Sequence, residues 1–126
     1  MTKYCLLIGL SLFLSSCSAP KDEQYYRDNP RELQYLAKAC PAQNTSNLTC
    51  EQVAKLALDM NKLAFELQME PQHFGHKILN LQNSIYLEQK SLAAAPNSAM
   101  PDALVKKQEE LKQRLAIVKW LESPEG

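Results

Sequence analysis

The sequence predicts an all-α protein: short N-terminal helices joined by a disulfide loop, then a long antiparallel helical hairpin, open to a kink at a proline. Three observations carry this expectation. Glycine numbers only 3 in 126 residues and aromatics make up 7%, while Leu, Lys, Gln, Glu and Ala are plentiful, a composition that favours helices over a packed β domain. Apolar residues recur at intervals of three and four along three long stretches. Prolines and Asn/Ser-rich runs fall between those stretches.

In chain order, Lys3 gives a small positive start and Tyr4 to Leu14 is an apolar run of about eleven residues, the length of a signal-peptide core and too short to span a bilayer. Leu14, Ser15, Ser16 and Cys17 then resemble the lipobox of bacterial lipoproteins. The resemblance implies that residues 1–16 are a cleaved signal peptide. It also implies that Cys17 becomes an acylated N-terminus, carrying palmitate-type chains into the lipid bilayer, with 17–22 as tether. Two or three acyl chains make a lasting anchor where one is marginal. Ser18 stands where many inner-membrane-retained lipoproteins carry Asp, so the expected address is the outer membrane, facing the periplasm.

Losing Lys3 with the leader takes the basic count from 14 to 13 against 14 acidic residues, a net charge of −1. Such a balance gives no general field for gripping nucleic acid, so no nucleic-acid partner is expected.

The first helix is expected around Asp22 to Asp28. Asn29 as N-cap and Pro30 at the first helical position start the next, through Leu33, Leu36 and Ala39, until Pro41 stops it. A polar run from Gln43 to Asn47 follows; its glycosylation-type sequons carry little weight in a bacterial lipoprotein. Thr49 and Gln52 then resemble a capping box, and behind them Val53, Leu56, Met60, Leu63 and Leu67 form a helix seam. Pro71 interrupts; Phe74, Ile78, Leu81 and Ile85 resume the spacing to about Leu92, as one kinked helix or two. Ala93 to Pro101 reads as a turn. A final helix from about Asp102, with Leu104, Leu111, Leu115, Val118 and Leu121 as its stripe, is expected to pack antiparallel on the helix before it.

Cysteine usage agrees with an exported chain. Cys5 leaves with the leader and Cys17 is the acylated residue, so Cys40 and Cys50 remain as a pair in an oxidising compartment and a disulfide is expected. A redox-active dithiol normally has closer spacing, and a zinc site would need two further ligands.

Over residues 23–57 the sequence resembles the EexN-type entry-exclusion lipoproteins. The resemblance rests on Gln24, Tyr25, Tyr26, Asn29, Pro30, Glu32, Leu33, Cys40, Cys50 and Ala54. It implies a noncatalytic role associated with conjugative DNA transfer, where exclusion proteins reduce redundant receipt from a donor carrying the same element. The helical hairpin, 49–122, overlaps this segment and extends well beyond the signature.

Tyr25, Tyr26 and Tyr35, with Trp120 near the other end, are the interaction candidates, since Tyr and Trp are enriched at binding hot spots; packing around the disulfide is the other role open to them. Two enzyme-like patterns are weaker. His73 and His76, with Glu70 one turn earlier, offer a partial metal face that lacks a complete ligand set. Pro101-Asp102 followed by Glu110, Leu111 and Lys112 superficially resembles a PD-(D/E)xK nuclease motif, but in helical rather than strand periodicity. No catalytic residue, metal or cofactor is expected. The expected function is interaction with an envelope protein or assembly, as an exclusion-like accessory to DNA transfer or secretion; a structural subunit of an envelope complex is the alternative, with self-association open.

Overall fold

A computed structural model describes residues 20–123, all helical where regular: α1 (Glu23–Asp28), α2 (Pro30–Ala39), α3 (Cys50–Met69), α4 (Pro71–Ala93) and α5 (Asp102–Glu122). The leader, Cys17, and Pro124 with Glu125 lie outside the described residues.

Local chemistry sets each boundary. Asp22 caps α1 by accepting the Tyr25 N–H at 2.9 Å. Asn29 stands between α1 and α2 as expected, but its side chain does not cap α2: Nδ2 instead donates to the Tyr25 carbonyl at 2.7 Å. The reason lies in the shared position, since a residue joining two helices can satisfy the last carbonyls of the first or the first N–H groups of the second, and Pro30 has already removed one of the latter.

The connection to α3 is closed by the Cys40–Cys50 disulfide, with Cα atoms 5.8 Å apart. Inside it Asn44 acts as an internal brace. Its Oδ1 accepts from the Ser46 N–H at 3.1 Å and hydroxyl at 2.6 Å, and its Nδ2 donates to the Leu48 carbonyl at 2.7 Å. The capping box then forms in full: Gln52 N–H donates to Thr49 Oγ1 at 3.2 Å, and Thr49 N–H donates to Gln52 Oε1 at 2.9 Å. Replacing both Cys40 and Cys50 by Ser is expected to lower stability by about 2–3 kcal/mol, the chain-entropy value for so short a loop. Urea denaturation of oxidised wild type beside the double variant measures it.

Pro71 separates two helices rather than kinking one. Only Glu70 leaves helical geometry, because Pro71 has no N–H to offer the preceding turn. The bend there is pronounced. Residues eleven apart on a straight helix stand about 16 Å apart along its axis, beyond the reach of two side chains. Yet Lys77 Nζ lies 2.7 Å from Glu66 Oε1 across the break.

The core joins all five helices. Tyr26, Leu33 and Leu36 pack on Val53, Leu56, Met60 and Ala64 of α3, closed by Phe74 of α4 and Ile117 of α5. Ile85 and Leu104 are buried apart from this cluster, on α4 and α5, the two helices of the expected hairpin. The α5 stripe needs correction. Leu104 is fully buried, but Ile117 and Arg114 take the other inward positions, Leu111, Val118 and Leu121 are half-buried, and Leu115 is 44% exposed. A helix touching α1, α2, α3 and α4 at once has no single inward face, so one stripe cannot describe it.

Gly75 sits within α4 with nothing within 4 Å of where a Cβ would be. Gly75→Ala is therefore expected to stabilise the fold by about 0.5–1 kcal/mol, read as a higher urea midpoint with unchanged slope.

Candidate functional site

Each helix of the N-terminal unit is short, so polar contacts supplement its limited core. The Tyr25 hydroxyl donates to Glu32 Oε1 at 2.6 Å, while Lys21 Nζ lies 3.0 Å from Oε2 and 5.2 Å from the Tyr25 ring centre. The Tyr25 hydroxyl first, and Lys21 after it, hold the Glu32 carboxyl below the usual carboxylate range. The same bond raises the Tyr25 phenol, and Glu32 raises the Lys21 ammonium. A carboxylate held ionised by two donors is a poor proton acceptor, so this cluster fastens α1 to α2. At the opposite side Lys112 Nζ lies 2.7 Å from Asp28 Oδ2, tying α5 to α1 and lifting the Lys112 ammonium above its ordinary value.

The four aromatic candidates do not converge on one surface. Tyr26 is 5% exposed, its ring edge-on to Tyr25 at 5.3 Å between centres, and belongs to the core. Tyr25 is half-buried and engaged by Glu32. Tyr35 is 67% exposed and flanks a shallow groove of about 300 Å³ with Leu36, Ala39 and Thr45, the one place where two of the candidates meet, since an edge of Tyr26 also lines it. Trp120, half-buried against the core, lines a separate cleft of about 490 Å³ with Asn29, Pro30, Arg31 and Lys119. Burial separates the tyrosines because successive residues on a helix point about 100° apart, so neighbours cannot share a face.

The enzyme-like patterns also fall apart in space. His73 and His76 are both exposed on α4, and among the described residues no three His, Cys, Asp or Glu side chains gather as a metal site. Asp102 and Glu110 sit on one helix, about 12 Å apart along its axis. Glu110 accepts from Arg114 Nε at 2.9 Å, and Lys112 is held by Asp28. Asp102, Glu110 and Lys112 therefore diverge along a helix, whereas the nuclease motif they superficially resemble has its carboxylates converging from a β-hairpin.

Exposed apolar side chains that sequence reasoning passed over lie on α3 and on α4. Leu58, Phe65, Met69, Leu79 and Tyr86 are each more than half exposed. Their signal was present as a seven-residue recurrence, Leu58 to Phe65 and Leu79 to Tyr86, out of register with the seam that fills the core. No described helix is long and apolar enough to cross a membrane. No protein-family model, curated protein or solved structure matches the chain.

Proposed function

We propose that the protein is a noncatalytic envelope lipoprotein, anchored through acylated Cys17 in the outer membrane and facing the periplasm. It works by protein–protein interaction, as an exclusion-like accessory of a DNA-transfer or secretion system. The observation that carries the reading is the run Leu14-Ser15-Ser16-Cys17 after a short apolar stretch, a few residues ahead of α1. A tether over 17–22 spans at most about 20 Å, which keeps α1 and α2 close to the bilayer surface. Support comes also from the tyrosine-rich, Asn29-Pro30 start and the two cysteines on which the entry-exclusion resemblance rests; these residues build one disulfide-braced unit.

The test is affinity purification from crosslinked envelopes, with Cys17→Ala as the control that removes lipid-dependent placement. Specific capture of transfer- or secretion-channel proteins, together with raised DNA receipt from a matched donor after deletion, supports the exclusion-like role. A second reading, a structural subunit of an envelope complex, is favoured by the exposed Phe65, Met69, Leu79 and Tyr86. It predicts that deletion disrupts the complex and leaves DNA receipt unchanged. Recovery of general envelope proteins alone sinks both.

A further inference from the structure

The outer face of α3 turns away from the core seam. Leu58, Phe65 and Met69, at 54%, 63% and 64% exposed, fall within about 40° of one another at about 100° per residue, and Ala54 extends the same line. Exposed Lys55 and Lys62 run along one edge, and exposed Asn61 and Gln68 along the other. Neither lysine has an ion-pair partner among the described residues. The carboxylate one helical turn after each is already taken, Asp59 by Arg27 at 3.6 Å and Glu66 by Lys77 at 2.7 Å. The carboxylate on the face itself, Glu51, stands in the first turn of α3, where the helix dipole favours it.

We propose that this face lies in the headgroup layer of the bilayer that holds Cys17, with Leu58, Phe65 and Met69 at the acyl boundary and Lys55 and Lys62 on anionic phosphates. The inference rests on the proposed anchoring and adds how the domain sits against the membrane.

Chemistry selects lipid over a protein partner. Lysine is depleted at protein interfaces, because its flexible, strongly hydrated ammonium resists burial. At a bilayer its stem covers apolar surface while the charge snorkels to phosphate. Leu and Phe with lysine beside them form the pattern of a helix lying in the interface plane.

Placement agrees. α1 packs on the lysine edge, with Arg27 on Asp59. The 17–22 tether of at most about 20 Å, followed by the first turn of α1, sets the acylated residue within about 30 Å of Arg27. The line from Leu58 to Met69 is about 16 Å long and lies within that reach. Three side chains would not hold a free chain on a membrane. Held by its acyl chains, the domain meets the surface at roughly millimolar effective concentration, so a weak contact stays occupied.

The test uses the full chain as the cell processes it, reconstituted in vesicles of phosphatidylethanolamine and phosphatidylglycerol whose acyl chains carry bromine. With Trp120→Phe removing the native indole, Phe65→Trp is expected to lose about half its emission to bromine and to be shielded from aqueous acrylamide. Adding Leu58→Glu is expected to return that indole to water. Adding Lys55→Glu with Lys62→Glu is expected to weaken the quenching about threefold. Positions 55, 58, 62 and 65 are exposed, so these changes leave the thermal midpoint of the Trp120→Phe chain in place. An indole at position 65 that bromine does not quench overturns the proposal, as does quenching indifferent to Leu58→Glu and to the lysine reversal. So does a photo-crosslinker at position 65 that joins a protein rather than lipid in whole envelopes, which gives the face to the structural-subunit reading. Mass spectrometry of the mature N-terminus reads the anchor separately. An unacylated Cys17 fails the proposed function and this face with it, whereas an acylated chain with a water-exposed indole fails this face alone.

Discussion

Phe74→Ala is expected to remove about 3–5 kcal/mol of stability, the range for truncating a buried aromatic, and to leave little of the cooperative unfolding transition. Phe74 is fully buried and sits just past the bend, where the core cluster of α1, α2 and α3 meets α4 and α5. One face of its ring carries the Arg114 guanidinium, whose carbon lies 4.8 Å from the ring centre. Truncation therefore opens a cavity and strips the packing from a buried cation together. Urea denaturation beside Ile117→Val, an expected loss of about 1 kcal/mol, calibrates the effect. A loss for Phe74→Ala no greater than that of the valine variant would show that Phe74 does not hold this junction together.

Arg114→Ala is expected to cost about 2–3 kcal/mol, within the range for hydrogen bonds to charged groups. Its side chain is 6% exposed, and it bonds to Glu110 Oε1 at 2.9 Å and approaches Glu66 Oε1 at 3.4 Å. The carboxylates left behind are partly exposed, Glu66 at 22% and Glu110 at 49%, and Lys77 still holds Glu66, so the cost falls on the lost charge-assisted hydrogen bonds and on the packing of the guanidinium over Phe74. The pH dependence has a definite sign. The Lys77 hydrogen bond first, with Arg114 and against the burial that opposes them, lowers the Glu66 carboxyl below its ordinary value. A carboxylate lowered on folding contributes stability above its unfolded value of about 4.3, and that contribution is lost as pH falls through the folded value. Glu66→Gln should therefore be less stable than wild type at pH 7 and should lose less on acidification below about pH 4. Parallel acid and neutral urea curves check both variants. Phe74 and Arg114 touch, so their combined loss should fall short of the sum.

The helices were legible because their boundaries are written in local chemistry: the Thr49–Gln52 box, the prolines at 30 and 71, and the three-and-four spacing from Val53 to Met60. The disulfide was legible from cysteine arithmetic and from the oxidising compartment that the leader implied. Faces were legible only where a helix has one inward side. For α3 that held, but α5 is wrapped by four neighbours, and the stripe that favoured Leu115 missed Ile117. Arg114 was hidden for a different reason: a charged residue with Glu110 four places before it has the pattern of a surface pair, and only the bend at Glu70 brings Glu66 and Phe74 around it. The candidate aromatics were found as residues but not as a site, since the segment that makes Tyr25, Tyr26 and Tyr35 neighbours in sequence sends one into the core. The exposed apolar residues of α3 and α4 went unseen because an apolar recurrence beside a stronger seam is absorbed into it when both are scored as one helix.

The bond between Cys40 and Cys50 also has a mechanical meaning. It joins the end of α2 to the first residue of α3, so tension entering through α1 and α2 crosses directly into the long helices and bypasses the Asn44-braced loop. That loop is slack in the load path. Pulled from its two ends, the oxidised chain should extend about 30 Å less than the reduced one, the length of the ten-residue detour less the span of the bridge.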